Sequence, residues 1–337
     1  MSRWIAVAWI WIASVVGIAP ADAQDKIRMT LGWQPTMNGA RFFVAEFEDL
    51  FAKEGLDVNL IKFTAGPPFF AAFQSRSIDV GFMGLQPAVT AVAQGVPVKI
   101  VAAENDAFGA EALVARDDSG IKMLTDLRGK KVATKRGSSA HTALLTGLQV
   151  AGLKEGDIQL VDLDVTALLP AFRKGDIQAA WYWEPWMGLL KRENGRVVAT
   201  DGDIKLPSGI VWVARENWLQ QNQEAMQRLL RVLDKAALLI REQPEKMAKA
   251  ISKRLELNEE HVLEVLTKEA KWPTNKESVA ESYPFSMAAA EIRAGRGMAG
   301  VLADNAKFQQ AAKIIDTVPD FSKAVDPGPL ARYLGRN

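Results

Sequence analysis

The chain has 337 residues, 48% of them apolar, with 41 basic and 40 acidic side chains, two histidines and no cysteine. The lack of cysteine excludes a disulfide framework, a thiol nucleophile and a thiolate metal site, and His141 and His261 lie too far apart for the short ligand pairs of a zinc centre. A net charge of +1 without a long single-sign run points to neither nucleic acid nor an anionic membrane surface as partner, and no metal or other cofactor is expected.

Residues 1–23 read as a cleavable signal peptide. Arg3 supplies a positive start, Trp4 to Ile18 is apolar apart from Ser14 and Gly17, and Ala21-Asp22-Ala23 has the form of a cleavage site. The apolar stretch is shorter than the roughly 20 residues a membrane span requires. The expectation is export to a Gram-negative periplasm without a lipid anchor. Residues 24–337 exceed the usual size of one hydrophobic core, so two lobes are expected.

Strand and helix patterns then alternate. Lys26–Gly32, Asp57–Phe63, Ile78–Met83 and Val98–Ala103 read as strands, with helices over Ala40–Glu54, Pro68–Arg76 and Gln86–Gln94. A second series has strands at Ala112–Ala115, Lys131–Thr134, Ile158–Asp162, Ala179–Trp183 and Arg196–Ala199. Its helices run over Thr142–Ala151, Val165–Arg173 and on to about Arg192. Beyond Val213, Asn217–Leu255, Glu259–Lys271 and Ser286–Asp316 are helical. The alternation predicts parallel sheets covered by helices. The expected division is a first lobe from residues 24–104 and 214–337 and a second from residues 105–213.

Ligands of open α/β sheets bind beyond the carboxyl ends of strands, where loops meet helix N-termini. Four loops qualify: Gln34 to Asn38; Thr64 to Pro68, with Gly66 and Pro67; Gly84 to Pro87, with Leu85 and Gln86; and Gly137 to Thr142. The last joins a strand to a helix through Ser138, Ser139, Ala140 and His141. Free amides, the helix dipole and hydroxyl donors make such a turn an anion cradle. The competing explanation is that Ser138 is an N-cap and nothing more. His141 fits packing or capping better than ligand contact. Trp181, Trp183 and Trp186 alternate across a strand and its end, and Trp183 is the one nearest the cleft.

The run Gly66-Pro67-Pro68, Ser77-Ile78-Asp79-Val80-Gly81, Gly84, Pro87 and Gly95-Val96-Pro97 resembles the periplasmic receptors of nitrate, sulfonate and taurine ABC importers. So do Asp126-Leu127-Arg128-Gly129-Lys130-Lys131-Val132-Ala133 and Lys174-Gly175-Asp176-Ile177-Gln178-Ala179-Ala180, followed by Trp183-Glu184-Pro185. Ser138-Ser139-Ala140-His141 and Glu111-Ala112-Leu113-Val114 look closest to the taurine and alkanesulfonate receptors. The resemblance implies a bilobal venus-flytrap fold, a small organic anion of the sulfonate class held between the lobes, and delivery by a monomer to an inner-membrane permease.

The same resemblance implies that Ser138, Ser139 and the Ala140 amide hold the sulfonate, Gln34 contributes from the other lobe, and Trp183 walls the organic part. Where taurine receptors are expected to carry an acidic residue for the ligand ammonium, the matching position is Ile210. Glu111 or Glu184 then becomes the candidate replacement, unless either makes a lobe-to-lobe contact. Leu85 and Ile210 favour a more apolar or aromatic anion, so a carboxylate or aromatic acid stays open. An exported enzyme is the remaining alternative, although Gly137-Ser138-Ser139-Ala140-His141 lacks the shape of a hydrolase nucleophile elbow.

Overall fold

The computed structural model describes residues 26–64, 66–106 and 111–336; the expected signal peptide, residues 1–23, lies outside them. Ten strands form two five-stranded sheets. The first contains β1 (Ile27–Trp33), β2 (Leu56–Lys62), β3 (Val80–Gly84), β4 (Val98–Asp106) and, from much later in the chain, β10 (Gly209–Arg215). The second contains β5 (Glu111–Arg116), β6 (Lys131–Thr134), β7 (Gln159–Asp162), β8 (Ala179–Trp183) and β9 (Gly195–Thr200).

The strand orders are β2-β1-β3-β10-β4 and β7-β6-β8-β5-β9. They are the same pattern twice. In each sheet the fourth position runs antiparallel to both neighbours, and it is filled by the strand through which the chain enters from the other sheet. The sheets are therefore mixed, not purely parallel as the alternation predicts, because two passages between them each reverse one strand. The strand Gly209–Arg215, placed by sequence with residues 105–213, pairs instead with β3 and β4. Its five apolar residues from Ile210 to Ala214 are buried on both faces, as the middle of a helix-covered sheet requires.

One apolar core surrounds each sheet. In the first, Phe69 lies across the paired glycines Gly32 and Gly81; a Cβ on either would stand 2.5 or 2.6 Å from its ring. That close fit seats the helix Gly66–Gln74 against the sheet and assigns Phe69 to the core. The helix expected over Ala40–Glu54 is interrupted at Asp49, whose φ of 54° ends one helix at Phe47 and begins another at Leu50. The long C-terminal helical pattern is likewise divided: Gln223–Glu242 buries a stripe including Met226, Leu229, Leu233 and Ile240, and Pro244 starts a new helix because it has no N–H to continue the old one.

The helix Gly297–Ala311 bridges the halves, packing on Leu85–Ala93 of the first and Ser139–Val150 of the second. No helix among the described residues is long and apolar enough to cross a membrane.

Candidate ligand-binding site

Three helices begin at one cavity. Gly66 opens Gly66–Gln74, Gly84 precedes Leu85–Ala93, and Ser138 caps Ser139–Val150, and all three residues line the same space between the sheets. The first amides of a helix have no intrahelical acceptor, and the dipole places partial positive charge there. The lining is completed by Gln34, Thr36, Asn38, Pro87, Glu111, Ser139, Trp183 and Ile210. Among the described residues of the lining there is no lysine or arginine, and the positive end of each helix dipole is the positive charge they offer. Only about 20 Å3 of the cavity admits a water-sized centre, room for little more than one water, so any larger ligand requires the walls to part.

The walls touch. A Cβ on Gly84 would stand 3.5 Å from Ser139 Cβ, and a Cβ on Gly66 would stand 3.8 Å from the Gly137 carbonyl oxygen. The Thr36 hydroxyl donates to the Glu184 carbonyl at 3.1 Å, and the Met37 amide donates to the same oxygen at 3.3 Å. Glu184 Oε2 pairs with His261 Nε2 at 2.8 Å, reaching from the end of β8 to the C-terminal helices. Of the two roles open to Glu184, the structure shows the lobe-to-lobe contact; its side chain does not line the cavity.

The two serines have different surroundings. Ser138 Oγ donates to the Lys135 carbonyl at 2.6 Å and accepts from the His141 amide at 3.3 Å, so its single hydroxyl proton is committed to the turn. Its geometry is that of an N-cap. The His141 amide and the Thr142 amide, which donates to the Ser138 carbonyl, are thereby satisfied. Ser139 and Ala140 carry the remaining first-turn amides. Ala140's methyl lies in the second core. The Ser139 hydroxyl bonds to Glu111.

Glu111 is 6% exposed at the start of β5 and is the one ionisable side chain among the described residues of the lining. Burial first, and then the charge of Asp201, push its carboxyl up to about 8, against a smaller opposing effect of the Ser139 hydroxyl. Its Oε2 has no hydrogen-bond partner, nor has Asn38 Oδ1; both are buried. A half-turn of the Asn38 amide would present its NH2 instead. Buried polar atoms are nearly always partnered, so these two leave hydrogen-bonding capacity open at the cavity.

Trp183 and Ile210 supply the apolar wall, 9% and 7% exposed. The Ile210 amide donates to Asn105 Oδ1 at 2.9 Å, and Asn105 Nδ2 donates to the Asn38 carbonyl at 3.0 Å, so one buried asparagine ties β10 to the first loop.

Several sequence candidates lie elsewhere. Leu85 is in the first core. Gln86 Nε2 donates to the Pro207 carbonyl at 3.1 Å, in the connection from β9 to β10, and its own carbonyl accepts from Gln309 Nε2. His141 turns Nδ1 towards the Gly137 amide, and burial pushes its pKa down, keeping the ring neutral. Pro67 lies in the helix Gly66–Gln74. Thr36, Asn38, Gly84 and Pro87 are not among the ligand-binding candidates read from sequence, although each falls inside a loop that is, and Gly84 and Pro87 belong to the motifs that carry the resemblance.

Two sheets of one strand order, crossed twice by the chain around a polar cavity, are the periplasmic-binding-protein fold. Residues 22–255 match the NMT1-like family, and the chain belongs to it. A putative aliphatic sulfonates-binding protein of Escherichia coli strain K12 is 29% identical over 255 residues, covering 75% of this chain and 79% of that protein. The taurine-binding periplasmic protein of the same strain is 30% identical over 204 residues, covering 59% and 62%. The alkanesulfonate-binding protein SsuA from Xanthomonas axonopodis pv. citri bound to MOPS superposes with a TM-score of 0.75 at 23% identity, covering 90% of this chain and 99% of that chain.

Proposed function

We propose that the protein is the periplasmic receptor of an ABC importer, taking a small organic sulfonate between its lobes and presenting it, closed, to the inner-membrane permease. The observation that carries this proposal is the convergence of three helix N-termini on a cavity whose described lining has no lysine or arginine. A sulfonate is anionic across the physiological range, and preorganised dipoles in a water-poor site bind such a group without a full countercharge. The Ser139 and Ala140 amides and the Asn38 amide would surround the oxyanion, with the Ser139 hydroxyl holding Glu111 beside it, while Trp183 and Ile210 would cover its carbon chain. Hinge motion about the two connections between the sheets would admit it. The named relatives and the leader-like segment of residues 1–23 support export and transport.

The apolar wall of Trp183 and Ile210 also suits a carboxylate or an aromatic acid, which is the second reading. A thermal-shift screen of the protein against alkanesulfonates, aromatic sulfonates, taurine, nitrate and simple carboxylates separates them. A ligand at 100 times its dissociation constant adds about 2.7 kcal/mol of stability. A response to a sulfonate with one-to-one binding and no product supports the receptor. A response to carboxylates alone overturns the sulfonate, and steady turnover would make the protein an enzyme.

A further inference from the structure

Among its described residues the lining of the cavity contains one acid and no base, an unusual composition for a site that takes an anion. An ionised Glu111 would repel an oxyanion a few ångströms away inside a low-dielectric cleft. A neutral Glu111 would do the opposite, because a carboxylic acid has a proton to donate. We propose that Glu111 serves the cleft as a neutral acid that donates a hydrogen bond from Oε2 to the bound oxyanion, so that the site prefers simple anions over zwitterions carrying an ammonium group. The inference rests on the oxyanion reading above and adds to it which charge state of which residue selects the ligand.

The geometry supports this in three ways. Oε2 is buried, on a cavity-lining side chain, and has no partner within the protein. A second carboxyl, Asp201, stands beside Glu111, its amide donating to the Glu111 carbonyl at 3.1 Å, and two neighbouring buried carboxyls resist ionising together. Among the described residues no cation is aimed at Glu111. On the helix Ser139–Val150 the nearest titratable group is His141, neutral and turned to Gly137; at the end of β8 it is Glu184, held by His261; and Gln34, Thr36 and Asn38 of the first lobe are uncharged. The apolar Ile210 across the cavity offers no second acid to receive an ammonium.

The test compares 1-propanesulfonate with taurine, its isostere with an ammonium in place of the terminal methyl, and with butyrate as the carboxylate, by calorimetry on the wild type and Glu111→Gln between pH 6.5 and 9.5. The amide imitates the neutral acid. Wild-type affinity for the simple anion is expected to be level near pH 6.5 and roughly thirtyfold weaker at pH 9.5, while Glu111→Gln keeps the low-pH affinity and shows no such fall. Tighter binding of taurine than of 1-propanesulfonate, with affinity rising with pH and lost in Glu111→Gln, would show an ionised Glu111 and overturn the proposal.

A ligand-free measurement separates this failure from failure of the ligand class. The folded-state pKa is raised above the ordinary carboxylate value, so the wild type is favoured most at low pH and loses stability relative to Glu111→Gln as pH rises from about 4.5 to about 8. Absence of that divergence in melting temperature overturns the neutral acid by itself. Its presence with no binding of any of the three probes overturns the oxyanion ligand, and the donor role with it.

Discussion

Two buried glutamates stand close in sequence and differ in everything around them. Glu104, in β4, is fully saturated: Arg41 Nε reaches Oε2 at 2.8 Å, the Arg41 amide reaches Oε1 at 3.1 Å and Trp212 Nε1 reaches Oε2 at 2.5 Å. The Arg41 guanidinium is in turn completed by the carbonyls of Pro273 and Ala103. Glu111, at the start of β5, has a serine hydroxyl, a second acid and an oxygen with no partner. The first arrangement closes on itself and has nothing left to offer a ligand. The second is incomplete inside the protein, and its incompleteness faces the cleft. Of these two buried glutamates, the saturated one is structural, and the one with an unpartnered oxygen lines the cavity.

Removing one side of the saturated pair should have the largest effect. Glu104→Ala leaves the Arg41 charge buried without its partner, and urea unfolding should show a loss of about 3–5 kcal/mol. A loss below about 1 kcal/mol would mean that the pair is not the closed unit the geometry describes.

On the cleft side, Ser139→Ala removes the hydroxyl that holds Glu111 and should weaken 1-propanesulfonate binding by about 1–3 kcal/mol, measured by calorimetry, through the loss of the bond that positions the acid. Ser138→Ala should divide the other way. Its hydroxyl caps the helix and holds the Lys135 carbonyl, so the expected cost is about 1 kcal/mol of stability, read from melting, with a smaller change in ligand affinity. If Ser138→Ala weakened binding more than Ser139→Ala, the assignment of cap and cradle would be reversed.

The smallest effect belongs to a polar pair that is neither saturated nor buried. Arg28 and Asp57 approach to 3.3 Å with side chains 90% and 53% exposed, and Arg28→Ala should change stability by less than about 1 kcal/mol. A larger loss would remove burial as the property that orders the series.

Much of the fold is legible in the chain. The strands at Val80–Gly84, Lys131–Thr134 and Ala179–Trp183 were recognisable because short β-rich runs are bounded by Gly, Pro and polar turns. The four loops singled out by the same means, each between a strand and a helix, all contribute residues to the cavity lining. The individual contacts within them were not legible. Gln86 and Glu184 carry the same kind of polar group as Asn38 and Glu111, and only the packing turns the first two towards the β9–β10 connection and His261. Ser138 and Ser139 are adjacent and chemically identical, and the change from the extended backbone of Ser138 to the helix that begins at Ser139 sends one hydroxyl into the turn and the other towards Glu111.

Local sequence determined the α/β alternation, the helix starts and the presence of an anion-suited turn, because periodicity, capping and turn chemistry act over a few residues. Tertiary structure decided the rest. β10 joins the first sheet from more than a hundred residues beyond β4, three helix N-termini are brought to one cavity, and the proton on Glu111 is held by burial and by the neighbouring Asp201. Those are effects of distance and desolvation between segments remote in the chain, and no local pattern encodes them.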